Sequence, residues 1–419
     1  MRDGVESGSL AGRYTEVWVA ATTGEFHAHG LLGTVAEPDW PRLTLPEVDR
    51  LLRRYPAAGG AERLLSFSPR PFSAASIVAA AHGEVFVKRH HRSVRDRGGL
   101  LEEHRLIAFL AGTGWDGGEA LVPPVLADQD GETAIADGEW TYEVHAPARG
   151  LDVYEQALSW TPFLASGHAR AAGRALAKLH IATKGYDAPA RGMRPLVSSF
   201  TIFAGIDVGD DPVTRMEGYL ASRPCLQEYA EVRNWRAAFH DLLLPLYAEL
   251  RPWLLYLTPL WTHNDFHASN LMWSEGCESA EVTGVIDFGL ADRTNAVHDL
   301  ATAIERNIVE WLRIDEPNAG VAHLEHLDAL LAGYEELSPL SYEDAHALVA
   351  MLPLVHCEFA LSETDYFLSV LHSEEKAYLG YENYFVAHAR WFGSAAGQRL
   401  LDHLRQWAEE GSRFRRGEL

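Results

Sequence analysis

A chain of 419 residues that is 47% hydrophobic and 23% charged has the composition of a folded globular protein and is long enough for two or three compact units. Its formal net charge of −23 works against sequence-independent attraction to nucleic acid or to an anionic membrane, since both need a positive counter-surface. Three widely spaced cysteines, Cys225, Cys277 and Cys357, exclude a disulfide framework and a cysteine-based zinc finger, and read as reduced packing residues.

The segment Met1-Arg2-Asp3-Gly4-Val5-Glu6 lacks the apolar run of a signal peptide, and no stretch reads as long enough to cross a membrane, so a cytoplasmic location is expected. Residues 1–62 form an extension with no assignable chemistry. It holds a β-like run at Val17–Ala20 and a short amphipathic helix, Leu45–Leu52, with Pro46 early and Val48, Leu51 and Leu52 at helical spacing.

From Arg63 to His145 short strands dominate. Ile77–Ala81 and Glu84–Arg89 flank His82-Gly83, and Thr133–Ala136 and Trp140–His145 flank Asp137-Gly138, a strong hairpin signal. Between the hairpins, Leu100, Leu106, Ile107 and Leu110 predict a helix that stops near Gly112. After Arg149-Gly150 helices prevail, over Phe163–Ile181, Trp235–Leu257 and again from Asp299 onward, with β-like runs and a loop between Trp261 and Leu290. The order predicts an α+β chain of two lobes: a small β-rich lobe over 63–145 and a larger helical lobe over 146–419.

The most informative stretch is His263-Asn264-Asp265-Phe266-His267-Ala268-Ser269-Asn270-Leu271, followed by Val285-Ile286-Asp287-Phe288-Gly289. Phosphoryl transfer needs a carboxylate to accept or orient the attacking hydroxyl, and further oxygen ligands to hold Mg²⁺ against the phosphates. Asp265 fits the first role; Asn270 and Asp287 fit the second. A D-x-x-x-x-N loop lets one tight turn aim the carboxylate outward and return the amide toward the metal, and the later carboxylate follows a β-like run.

These motifs resemble the aminoglycoside phosphotransferase and choline kinase family, whose core is similar to that of protein kinases. The resemblance implies a bilobal protein-kinase-like fold that moves the γ-phosphoryl group of ATP, with Mg²⁺, onto a hydroxyl of a small molecule. It further implies that Lys88, in Val85-Phe86-Val87-Lys88, holds the α- and β-phosphates, and that Glu103 rather than Glu102 faces it, because neighbouring helical residues point about 100° apart. Backbone groups of Glu143, Val144 and His145 would meet the adenine edge. No G-x-G-x-x-G is present; Ser73 to Ser76 stand where the phosphate loop is expected, with Ser73 and Ser76 as its polar contacts. Gly173–His180 looks like a packing helix of the large lobe and Asp299 like the family's structural aspartate. The later helices, with Glu358, Glu363, Asp365, Tyr366, Phe367, Glu374, Glu375, Trp391 and Phe392, would hold an acceptor that carries positive charge, through charge pairing and cation–π attraction.

Three other readings compete. His263, Asp265 and His267 alternate, so an extended segment would place them on one face as the ligands of a metallohydrolase; Asn270, Asp287 and Lys88 would then go unexplained. A kinase-fold module that binds nucleotide without turnover shares every motif, since fold does not fix function. A protein kinase would carry A-P-E and a long activation segment, whereas this chain passes within a few residues from Asp287-Phe288-Gly289 to Asp299-Leu300-Ala301.

Overall fold

In the computed structural model, which describes residues 27–28, 31–32, 38–68, 71–113, 121–155, 157, 159–192, 195–204, 211–311 and 322–415, the small lobe is a five-stranded antiparallel sheet. The expected strand at Val17–Ala20 lies outside these residues. The strands are β1 (Ala61–Leu64), β2 (Ala74–Ala80), β3 (Gly83–His91), β4 (Ala134–Asp137) and β5 (Trp140–His145), in the order β1-β2-β3-β5-β4. Both expected hairpins form. Ala80 pairs with Gly83 across the first, and Asp137 pairs with Trp140 across the second, where Gly138 takes the φ of 62° that a tight turn requires.

Helix α1 (Leu45–Leu52) forms at the expected residues, but it does not belong to a separate extension. Its face of Val48, Leu51 and Leu52 is buried in one cluster with Val78, Val85, Val87, Tyr142 and Val144, so the small lobe begins near Leu43 rather than at residue 63. The reason is the amphipathic pattern itself: a single apolar stripe must be covered, and the outer face of the sheet covers it. Helix α2 (Arg97–Gly112) starts where the Asp96 side chain accepts the Gly99 N–H at 2.7 Å.

In the large lobe, α3 (Ser166–Thr183) packs on α5 (Leu324–Glu335) with backbones nearly touching. A methyl group at Gly173 would stand 2.1 Å from the Leu330 carbonyl oxygen, and one at Gly333 2.0 Å from that of Arg170. In chain order α4 (Ala296–Ile308) and two antiparallel strand pairs come between α3 and α5: β6 (Pro259–Thr262) with β9 (Asp292–Asn295), and β7 (Leu271–Trp273) with β8 (Val282–Val285). The helical structure expected over Trp235–Leu257 forms without interruption from Trp235 to Tyr256, in four contiguous pieces of changing pitch, with Pro245 and Pro252 at the starts of the last two, Leu244–Leu250 and Arg251–Tyr256.

Two composition readings need correction. The helical run Tyr342–Ser369, which contains α6 (Tyr342–Met351) and α7 (Cys357–Ser369), is long and apolar enough to cross a membrane, contrary to the sequence reading; it is apolar because it lies buried in the large lobe. Of the cysteines only Cys357 is a packing residue, its thiol pushed up by burial and by Glu358 beside it; Cys225 and Cys277 are exposed.

Candidate active site

The loop after β6 is fixed from beneath by α4. Asp299, fully buried in the first turn of that helix, accepts the backbone N–H groups of His263 and Asn264, each at 2.8 Å, and the His180 Nε2 at 3.0 Å. Burial works against its charge, yet His180 and these donors hold the carboxyl below its ordinary value. Asn264 adopts a left-handed φ of 59°, and its side chain explains why Asn suits the position: it accepts from Thr262 Oγ1 at 2.8 Å and donates to the Leu290 carbonyl. Farther along α4, Asn307 accepts the Ala268 N–H at 2.8 Å and donates to the Phe266 carbonyl at 3.0 Å. Asp265 thus sits on a loop held at both ends.

Asp265 is a partly exposed carboxylate at the cleft, with Oδ1 3.4 Å from Arg306 Nη2 and Oδ2 3.6 Å from His267 Nε2. Burial opposes its ionisation, but His267 and the Arg306 guanidinium hold its carboxyl far below the usual carboxylate range. Asn270 Nδ2 donates to the Asp265 carbonyl at 3.0 Å, which leaves its amide oxygen as the remaining donor atom for a hard cation. Asp287, at a φ of 61°, caps the turn that follows it, and its Oδ1 meets Lys88 Nζ at 2.8 Å across the two lobes. Burial would discharge Lys88, but Asp287, Glu143 and Glu103 around it push its pKa up to about 12. Lys88, Asp265, Asn270 and Asp287 are therefore brought together. The Asn270 amide oxygen and the Asp287 carboxylate are of the oxygen-donor type that Mg²⁺ takes.

Other expected residues are placed differently. Glu103 is the buried member of its pair, but its carboxylate meets Arg191 Nη2 at 3.3 Å and Arg95 Nε at 4.0 Å instead of Lys88. The two guanidiniums also donate to the Gly289 carbonyl, each at 2.7 Å, so they tie α2 to the turn after Asp287. The expected hinge residues are held in the sheet. Glu143, Val144 and His145 are still paired with Lys88, Val87 and Phe86 in the ladder, and the Val144 carbonyl accepts the Leu126 N–H at 2.7 Å, so the sheet takes up their backbone groups. Ser76 Oγ donates to the Ser66 carbonyl at 2.5 Å inside the β1–β2 region and is not turned to phosphates; Ser73 lies at the loop just before β2. The alternating metal triad does not form. His263 Nε2 lies 3.0 Å from the Ile286 carbonyl and its Nδ1 accepts the Asp265 N–H, because the loop is turned rather than extended.

Beyond Asp265, the structure adds residues that the sequence reading missed. Arg306 lies over the rings of Trp160 (5.3 Å) and Phe359 (5.0 Å), and Glu305 is buried beside it with His388 Nε2 3.5 Å away. Glu363, one of the expected acceptor residues, is buried, and its Oε2 has no hydrogen-bond partner among the described residues. The signal was present: Glu305-Arg306-Asn307 puts three successive polar residues at the end of a helix that already carries His298, Asp299 and Thr302, and all six are buried. Of the other expected acceptor residues, Glu358 is taken by Ser199, Thr201 and the Ile202 N–H, and Asp365 stands 3.9 Å from Arg223. Tyr366 donates to Asp39, Phe367 packs beneath it, Phe392 is core, Trp391 packs on Trp311, and Glu374 and Glu375 are exposed.

No curated protein matches the chain. Among solved structures it is similar to an aminoglycoside phosphotransferase from Alicyclobacillus acidocaldarius, at 15% identity and a TM-score of 0.51, covering 88% of this chain and 98% of that one. It is similar also to a microcompartment-associated aminopropanol kinase (18% identity, TM-score 0.51, 86% and 98% covered) and to the GDP and kanamycin complex of APH(2")-IIia (14%, 0.50, 81% and 97%). These likenesses establish the bilobal, protein-kinase-like α+β fold. The Phosphotransferase enzyme family (APH) matches residues 72–340, well over half of the chain, and the chain therefore belongs to that family.

Proposed function

We propose that the protein transfers the γ-phosphoryl group of ATP to a hydroxyl of a small molecule that bears a positive charge. The observation that carries the reading is the meeting of Lys88 and Asp287 at 2.8 Å across the cleft, beside a loop that presents Asp265 and Asn270 from a fixed base. Lys88 would hold the phosphates as a compact point charge, and Asp265 would accept or orient the acceptor hydroxyl. Asn270 and Asp287 would hold Mg²⁺, which would offset the negative charge of the phosphates. Replacing Asp287 by Asn or Lys88 by Ala is expected to weaken MgATP binding by about tenfold or more, as each removes a full charge from a partly desolvated site. Calorimetry in which both variants bind MgATP like the parent would overturn the nucleotide site.

The acceptor side of the cleft supports a cation. Glu363 is pushed up to about 8 and Glu305 to about 7, in both cases by burial, with Arg306 opposing. An ammonium group near them would favour their ionised forms. For an acceptor that stays cationic, kcat/KM is expected to rise with pH between about 7 and 8 as the two carboxyls lose protons. Glu363→Gln should flatten the upper part of that rise. Stability should run the opposite way: a carboxyl raised in the folded state favours folding below its unfolded value near 4.5, and that contribution is lost as pH climbs through about 8. Thermal melts from pH 5 to 9 on the parent and Glu363→Gln measure it; identical pH slopes would remove Glu363 from the account.

A further inference from the structure

We propose a transition-metal site of the Zn²⁺ class in the small lobe, behind Lys88, formed by His104, Glu143 and His145 with His90 as a fourth donor. It does not depend on the phosphotransfer reading. The Nε2 atoms of three histidines converge on one carboxylate: His104 and His145 lie 3.0 and 2.9 Å from Glu143 Oε2, and His90 lies 2.9 Å from Oε1. One ligand atom each from His104, Glu143 and His145 fall within 4.8 Å of one another. Ligand atoms around a tetrahedral Zn²⁺ at bonds of about 2.0–2.1 Å stand roughly 3.3 Å apart, so small side-chain movements would admit the ion.

The chemistry of the donors selects the metal. Three imidazole nitrogens and one carboxylate suit Zn²⁺, Cu²⁺ or Ni²⁺, whereas Mg²⁺ and Ca²⁺ prefer oxygen alone. Glu143 is 1% exposed, and its ion-pair partners among the described residues are the three histidines. Lys88, its cross-strand neighbour, directs its ammonium to Asp287 instead. The three imidazoles already give this buried carboxylate its direct partners, and a metal ion among them would place a full positive charge on it. His104 also has the outer contact typical of a ligating histidine, with Nδ1 2.9 Å from Thr133 Oγ1. The donors come from β3, α2 and β5, so a bound ion would cross-link helix to sheet and fix His145 at the end of the strand that leads into the hinge.

The test is a titration of the chelator-stripped full-length protein with Zn²⁺, followed by heat, and with Co²⁺, followed by visible absorption. One equivalent should bind at micromolar Kd or tighter, raise Tm, and give Co²⁺ the intense bands of a tetrahedral nitrogen-oxygen site. His104→Ala and Glu143→Gln should weaken binding by about 100-fold or more, as each removes a ligand. Asp287→Asn should keep it, and so should His326→Ala, which disrupts the other histidine–glutamate grouping, His323-Glu325-His326. A folded parent protein that binds neither metal overturns the proposal without any variant. So does binding that persists in both His104→Ala and Glu143→Gln. The histidines would then serve only as N–H donors to a buried carboxylate.

Discussion

Replacing Asp265 by Asn is expected to lower kcat by about 10²–10⁴-fold while nucleotide affinity stays close to that of the parent. The substitution keeps the shape of the side chain and removes its charge. The carboxylate faces the acceptor side of the cleft, where Arg306 and His267 flank it, whereas the groups proposed for phosphate and Mg²⁺ are Lys88, Asn270 and Asp287. Because its carboxyl is held so far below the ordinary range, Asp265 is ionised throughout the working range, and protonation of this group should not set the acid limb of the pH profile. A carboxylate that weakly basic acts chiefly by orienting the hydroxyl and by stabilising the positive charge that develops on it. That suits a loose phosphoryl-transfer transition state, in which the proton leaves late. The measurement is single-turnover phosphorylation of any acceptor found by an ATP-consumption screen, with calorimetry of MgATP alongside. A variant that turns over like the parent would exclude Asp265 from the reaction.

What the sequence made legible was local. The nine residues from His263 to Leu271 and the Ile286-Asp287-Phe288-Gly289 turn carry their own spacing, and the hairpins carry their own turn glycines, so both could be read without the fold. The errors arise where a distant residue decides. The helical spacing that singles out Glu103 over Glu102 cannot show that Arg191, 88 positions away, claims its carboxylate. A strand end leaves no mark on side chains, so the pairing of Pro124–Leu126 with the end of β5 at His145 is not legible in the sequence. Leu45–Leu52 was legible as a helix, but its place in the small-lobe core depends on the exposed apolar face of a sheet built later in the chain. Nor does any local pattern show that His90, His104, Glu143 and His145 share one point, since three separate elements bring them there.

The largest effect on stability is expected at Asp299, which touches neither proposed substrate. Asp299→Ala should destabilise the fold by about 3–5 kcal/mol, since it removes the acceptor of three buried donors: the N–H groups of His263 and Asn264 and the His180 ring. Asp299→Asn should cost less, because one amide oxygen can still accept, yet its NH₂ group would point a donor at a donor. The loss carries a pH signature. A carboxyl lowered in the folded state favours folding above its unfolded value near 3.8, and that contribution disappears as pH falls through the folded value. The parent should therefore lose stability on acidification more steeply than Asp299→Asn. Function should fall with stability, because the same two backbone bonds set the left-handed turn at Asn264 that aims Asp265. Urea titrations of the parent and both variants between pH 4 and 7 test the point. If Asp299→Ala unfolds at the parent's urea midpoint, the catalytic loop is held by Asn307 and the Thr262–Asn264 contact instead, and α4 would be a neighbour of the site rather than its foundation.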